Sequence, residues 1–205
     1  MDKTRFEAPS WDYIYKLLIE LCEKIRENGF KPDVIIGVSR GGWSPARVIS
    51  DILENPNIAN IKVEFYKGVY KTTDEPVITQ PISVQIKDKR ILIVDDVSDT
   101  GKTLKLLNYE LSKQTRKIKT VTVYSKPWTC FTPDFYAKST NAWIIFPWER
   151  FEMTKTIGNN LMKEVKKLSE VVEILITAGL DPIIVKKFTN YIFGKDNHDE
   201  NNGIQ

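Results

Sequence analysis

Two adjacent carboxylates, Asp95 and Asp96, end the apolar run Ile91-Leu92-Ile93-Val94 and lead into Val97-Ser98-Asp99-Thr100-Gly101-Lys102-Thr103. A buried strand, a loop of small residues and a helix start at Lys102 can hold a phosphate on backbone N–H groups and the positive end of a helix dipole. The paired acids add acceptors for the hydroxyls of a sugar. Side by side at the end of a buried strand, they repel unless a cation or hydroxyls are bound. Phosphate grip beside hydroxyl grip suits a phosphorylated ribose. The plainer alternative makes Asp99 a helix N-cap and Asp95-Asp96 a solvated strand end.

Neighbouring chemistries are excluded by spacing. Gly101-Lys102-Thr103 matches the end of an NTP-binding P-loop, but the glycine required five positions before Gly101 is replaced by Asp96. Gly37-x-x-x-Gly41-Gly42 does not meet the dinucleotide fingerprint. Gly41 and Gly42 still allow a close approach of backbone to an anion, and Arg40 adds charge. The single histidine, His198, sits in a polar tail, so acid–base work falls to carboxylates, lysines or tyrosines. Cys22 and Cys130 have no CxxC spacing and read as free thiols of a reducing compartment, not as a metal site.

The elements that must position these residues alternate along the chain. Trp11 to Glu27 carries helical spacing, with Ser10 as N-cap and Gly29 as stop. Asp33 to Val38 is a short apolar strand, Ser44 to Leu53 a helix with Pro45 in its first turn, and Ile61 to Tyr66 an alternating strand. Residues 67–89, polar and holding Pro76 and Pro81, read as a long connection, a functional cover or a plain surface loop. Ile91 to Val94 is the central strand, Thr103 to Ser112 a helix, Ile118 to Tyr124 a strand, and Ala142 to Phe146 a short strand. Leu161 to Thr177 and Pro182 to Phe193 read as two amphipathic helices, with Asp181 as N-cap of the second and Pro182 at its first position. Such alternation predicts an α/β fold with a mostly parallel sheet whose ligands sit at the carboxyl ends of its strands. Both loops of interest follow strand ends.

Composition agrees. The 205 residues, 41% hydrophobic and 28% charged, fit one globular domain with a small appendage. A net charge of +3 suits a small anionic ligand and does not call for a nucleic-acid surface. The N-terminal residues lack the apolar stretch of a signal peptide, and no apolar run approaches the roughly 20 residues of a membrane span. A cytoplasmic protein with no membrane partner is expected.

The run 91–103 resembles the phosphoribosyl-pyrophosphate signature of type I phosphoribosyltransferases. The resemblance implies the fold of that family: a central, mostly parallel sheet flanked by helices, a small hood and, here, a C-terminal helical extension. It implies that Asp95 and Asp96 hold the ribose hydroxyls and contact Mg²⁺, mainly through water. Val97, Ser98, Thr100, Gly101, Lys102 and Thr103 would complete the phosphoribosyl-pyrophosphate site. Val38-Ser39-Arg40-Gly41-Gly42 resembles the pyrophosphate loop of the purine branch, nearest the bacterial xanthine-guanine enzymes. A cis peptide is then expected at Ser39–Arg40, and Ser39, Arg40, Gly41 and Gly42 would bind the pyrophosphate.

Tyr124-Ser125-Lys126-Pro127 and Trp143-Ile144-Ile145-Phe146-Pro147-Trp148-Glu149 are together similar to the purine pocket of 6-oxopurine enzymes. Lys126, which has donors only, suits the O6 of hypoxanthine, guanine or xanthine. Trp143 would stack on the ring, backbone groups of Ile144 would meet its edge, and Glu149 would close the pocket. The family often has Asp at the last position. The plainer readings are core packing for Trp143 and Trp148 and a solvated loop residue for Lys126. By its place in the signature, Asp99 is the general base near N7 of the purine.

The expected function is therefore Mg²⁺-dependent transfer of 5-phosphoribose to N9 of a 6-oxopurine, releasing pyrophosphate. The alternatives are an adenine enzyme on the same scaffold and, in another class, a phosphoribosyl-pyrophosphate-sensing regulator without catalysis. The resemblance also implies a loop within 67–89 that closes over the site, with Tyr70 at its tip, and a homodimer or tetramer. Expected bounds are 1–154 for the transferase domain with its hood, 155–193 for the helical extension, and 194–205 for a disordered tail.

Overall fold

The computed structural model describes residues 5–66, 75–163 and 167–194. In chain order the elements are β1 (Phe6–Glu7), α1 (Trp11–Glu27), β2 (Val34–Ser39), α2 (Trp43–Ile52), β3 (Ile58–Tyr66), β4 (Glu75–Gln80) and β5 (Ile91–Ser98). They continue with α3 (Lys102–Ser112), β6 (Ile118–Ser125), β7 (Phe135–Ser139), β8 (Trp143–Ile144), α4 (Arg150–Lys163), α5 (Leu168–Thr177) and α6 (Pro182–Phe193). They fall into two compact units. One is Asp12–Asn141; the other joins the N-terminal segment, up to Trp11, to the chain from Ala142 onward.

The first unit is an α/β sandwich around a sheet of order β4-β3-β2-β5-β6-β7. All pairs are parallel except β3 with β4. β2 and the start of β5 are continuous apolar runs because both of their faces are covered, the usual pattern of a central parallel strand. Val34, Ile36 and Val38 of β2 and Ile91 and Ile93 of β5 share one face, where they pack with Leu104, Leu107 and Leu111 of α3. That leucine spacing is the apolar stripe of an amphipathic helix, and each fully buried side chain contributes about 1.5–3 kcal/mol. In α1, Ile14, Leu17, Leu18, Leu21, Cys22 and Ile25 form the buried stripe. Gly29, at φ +75°, ends that helix in a left-handed turn. Lys24 Nζ donates to the carbonyl of Tyr136, and the Arg26 guanidinium donates to that of Ile52, which ties α1 to β7 and to the end of α2.

The chain leaves β2 through α2 to β3 on one side, then returns to lay β5 on the other side. Strand order thus reverses between β2 and β5, the place where open α/β sheets form a binding crevice. The register sharpens this. β2 and β5 pair from Val34↔Ile91 to Gly37↔Val94, whereas β5 and β6 stay paired to Ser98↔Ser125. β5 parts from β2 where Asp95 begins.

The second unit holds a two-stranded parallel sheet, Phe6↔Trp143 and Glu7↔Ile144. Its described residues also form α4, α5 and α6 around Ile145, Ile157, Val171, Leu175, Leu180 and Val185. Asp181 caps α6, accepting from Ile183 N at 2.8 Å and Ile184 N at 3.0 Å, with Pro182 in the first turn.

The fold class agrees with the reading of the sequence; four details differ. Part of the expected connection 67–89 is the edge strand β4, whose alternating exposure and Pro76 suit an edge position. β7 was not foreseen. The short strand expected over 142–146 lies in the small sheet with β1, outside the main one. The single helix expected over 161–177 is instead α4, which starts at Arg150, followed by α5 from Leu168. Tyr70 and the tail 195–205 lie outside the described residues.

Candidate active site

The two glycine-bearing loops meet at the β2/β5 crevice. Residues 39–42 run from β2 into α2, and residues 98–101 run from β5 into α3. Each helix has a glycine N-cap, Gly42 and Gly101, and neither cap makes a side-chain hydrogen bond to the first turn. Trp43 N donates to Arg40 O at 3.2 Å and Lys102 N to Thr100 Oγ1 at 3.4 Å, so each helix start is partly satisfied within its own loop, and the first-turn N–H groups that follow them face the side an anion would take. Gly101 has φ +79°, and a Cβ there would lie 2.5 Å from Phe131 N, so only glycine fits both the turn and the contact. The peptide Ser39–Arg40 is cis, where the resemblance placed it. Ser39 Oγ accepts from Asn60 Nδ2 of β3 at 3.3 Å.

The loops also touch. A Cβ on Gly41 would fall 2.0 Å from Asp96 Oδ2, so the Asp96 carboxylate lies directly against the 39–42 backbone. A Cβ on Gly42 would fall 2.3 Å from the carbonyl oxygen of Val94. Asp96 N donates to Asp95 Oδ1 at 3.0 Å, and Val97 N donates to Asp96 Oδ1 at 2.7 Å. Both acids are half-buried. Burial, and then the charge of Asp96, push the Asp95 carboxyl well above the usual carboxylate range. A simple solvated strand end would not do this.

The turn after β6 braces the second loop. Lys126 N donates to Ser98 O at 2.9 Å, and Cys130 N donates to Thr100 O at 3.0 Å. Ser98 Oγ donates to Phe131 O at 2.9 Å and lies 2.8 Å from Thr129 Oγ1. Lys126 is only 7% exposed, which removes its reading as a solvated loop residue. Asp99 is not a cap: Trp128 Nε1 donates to its Oδ1 at 2.9 Å. Lys126 Nζ stands 5.5 Å from the centroid of the same indole. Lys102 Nζ is 3.8 Å from Glu75 Oε1 of β4, so its ammonium is directed toward the edge strand. Asn60, Trp128, Thr129 and Phe131 were missed in the sequence. Only Trp128, two residues after Lys126 in a loop, carried a visible signal.

Trp143, Ile144 and Glu149 belong to the other unit. Trp143 is 51% exposed, so it is not a core residue. Trp148 does pack, stacked on Phe146 at 4.9 Å and tilted against Trp11 at 5.5 Å. Trp143 N donates to Arg5 O and Ile145 N to Glu7 O. By strand alternation, the backbone groups of Ile144 then point to the opposite edge of β8 from β1. Glu149 Oε1 accepts from Phe146 N at 3.2 Å.

Residues 10–151 match the family described as phosphoribosyl transferase domain. The xanthine-guanine phosphoribosyltransferase of Idiomarina loihiensis is 33% identical over 143 residues, covering 68% of this chain and 84% of that protein. The hypoxanthine-guanine phosphoribosyltransferase of Schizosaccharomyces pombe is 29% identical over 187 residues, covering 68% and 87%. Among solved structures, a purine phosphoribosyltransferase from Pyrococcus horikoshii superposes with a TM-score of 0.62 at 47% identity, covering 69% of this chain and 91% of that one. With more than half of its length matched to that family, the chain belongs to the type I phosphoribosyltransferase family, in the branch whose named members are purine enzymes.

Proposed function

We propose that the chain is a pentosyltransferase of purine salvage. It moves the 5-phosphoribosyl group of phosphoribosyl pyrophosphate to N9 of a 6-oxopurine and releases pyrophosphate. The observation that carries this reading is the contact between Gly41 and the Asp96 carboxylate. It sets a loop suited to the pyrophosphate beside acids suited to the ribose hydroxyls, so C1′ and its leaving group fall between them.

Asp95 and Asp96 fit Mg²⁺. Burial, and then the neighbouring Asp96 charge, disfavour ionisation of Asp95, and a cation beside the two carboxylates would offset both. One or two carboxylates with water and substrate phosphates is how Mg²⁺ is usually held. Bound Mg²⁺ would neutralise charge on the pyrophosphate. Backbone donors of 39–42 and Arg40 stabilise the same leaving group, and Ser98 to Thr103 hold the 5′-phosphate. As the C1′–O bond breaks, with the electron pair leaving on pyrophosphate, N9 bonds to C1′ and Asp99 takes the purine's proton.

Lys126 donates to the O6 carbonyl, Trp143 stacks on the base, and Ile144 and Glu149 serve its edge. The names of the relatives favour hypoxanthine, guanine or xanthine. Residues 1–154 form the transferase domain and 155–193 the helical extension of a cytoplasmic homodimer or tetramer. Among the described residues, no helix is long and apolar enough to cross a membrane.

The test is incubation with phosphoribosyl pyrophosphate and Mg²⁺, offering each purine and pyrimidine base in turn and measuring nucleotide. Mononucleotides of 6-oxopurines are expected. Product from adenine alone overturns the base class, and no product from any purine overturns the reaction.

A further inference from the structure

We infer that Trp128 is a positioning residue that sets both polar groups of the reaction: its indole N–H holds the Asp99 carboxylate, and its ring face lies beside the Lys126 ammonium. This rests on the roles given above to Asp99 and Lys126. Trp128 is 56% exposed, so a large ring is left in water where core packing does not account for it. Its only donor is spent on Asp99 Oδ1 at 2.9 Å, a charge-assisted bond. Lys126 Nζ, 5.5 Å from the ring centroid, is within cation–π range of the same side chain. An aromatic ring has a positive edge and a negative face, so an anion at the edge and a cation at the face are both favourable.

The turn that carries this pair is fixed. Lys126 N donates to Ser98 O, and Thr129 N donates to Lys126 O at 3.1 Å. Asp99 itself is exposed on a loop and makes no cap, so without the indole its carboxylate is free to rotate away from the purine. With Oδ1 engaged, Oδ2 is the oxygen that takes the proton leaving the purine nitrogen as C1′–N9 forms. Near-attack positioning of this kind is sensitive to displacements of about 1 Å.

The experiment is a mutant cycle read by steady-state kinetics. Trp128→Phe keeps the ring face and removes the donor. Its kcat is expected to fall by at least about tenfold, with KM for phosphoribosyl pyrophosphate and purine each within about twofold of wild type. Trp128→Leu removes the face as well and should also raise the purine KM. Because the indole acts through Asp99, Trp128→Phe should cause no further loss in an Asp99→Asn background. An equal fold loss in both backgrounds overturns the inference. So does wild-type turnover in Trp128→Phe beside lowered turnover in Asp99→Asn, which leaves the base assignment standing. Full turnover in Asp99→Asn overturns the base assignment, and this inference with it.

Discussion

Gly41→Ala separates catalysis from folding at the crevice. The φ of Gly41 is one that any residue adopts, so glycine is needed there for space alone. An alanine Cβ would lie 2.0 Å from Asp96 Oδ2 and 2.5 Å from its Cγ. Restoring van der Waals contact moves the carboxylate by about 1.4 Å. The obstacle is the end of a side chain, so rotation of Asp96 relieves it at the expense of its bond from Val97 N. That bond and an unfavourable rotamer together amount to about 2 kcal/mol, or roughly 4–8 °C in Tm for a chain of this size. The variant therefore stays folded. A ribose-holding carboxylate displaced by more than 1 Å should lower kcat/KM for phosphoribosyl pyrophosphate by about a hundredfold. Gly42→Ala is the contrast, because its Cβ would meet backbone only: Val94 O at 2.3 Å, Asp95 Cα at 2.8 Å and Val38 N at 2.9 Å. Backbone cannot rotate aside, so a stability loss of about 3 kcal/mol or more is expected. Thermal melts and nucleotide formation, measured on both variants, decide the matter. Wild-type kinetics in Gly41→Ala, or equal stability of the two variants, would refute the described contact.

Three further outcomes follow from the electrostatics and caps. Asp95 has its carboxyl raised in the folded state, so ionising it costs stability as pH rises above the unfolded value near 4, and the cost is complete above the folded value. Asp95→Asn should raise the Tm of the metal-free protein at pH 8 more than at pH 5, while Mg²⁺ with phosphoribosyl pyrophosphate should stabilise it less than wild type; calorimetry with no such pH dependence rejects the pairing. The Asp33 carboxyl is held down at about 2 by the guanidinium and then the backbone N–H of Arg90. Its contribution is present above pH ~4 and lost as pH falls toward 2. With the side chain 39% exposed, screening limits it to about 1 kcal/mol. In urea unfolding, the gap between wild type and Asp33→Asn should close over that window, and a constant gap refutes it. Asp181→Ala removes the α6 cap and should lower stability by about 1 kcal/mol, measured by denaturant midpoint; an unchanged midpoint counts against the cap.

Much of this protein is written in short range. The buried run of β5, its two acids and the glycine before α3 are consecutive residues, so strand, phosphate loop and helix start are legible together. α1 and α6 are equally plain, because their apolar stripes, stop and cap are local signals. β4 was hidden because an edge strand buries only part of one face, so its residues look like loop. β7, at the opposite edge of the sheet, has mixed exposure for the same reason. The start of α4 was missed because its buried face is Thr154, Ile157 and Gly158, a weak apolar stripe.

By itself, then, the sequence determined the chemistry on offer: an anion loop beside paired acids, a second glycine loop, a lysine with donors only and a carboxylate in the first loop. Which of these meet was decided by the sheet. Reversal of strand order between β2 and β5 brings Gly41 against Asp96, although 55 positions separate them in the chain. The turn after β6 folds back to place Trp128 on Asp99, 29 residues upstream. No local pattern encodes such contacts, because they depend on the order and register of strands that pair only once the whole sheet has formed.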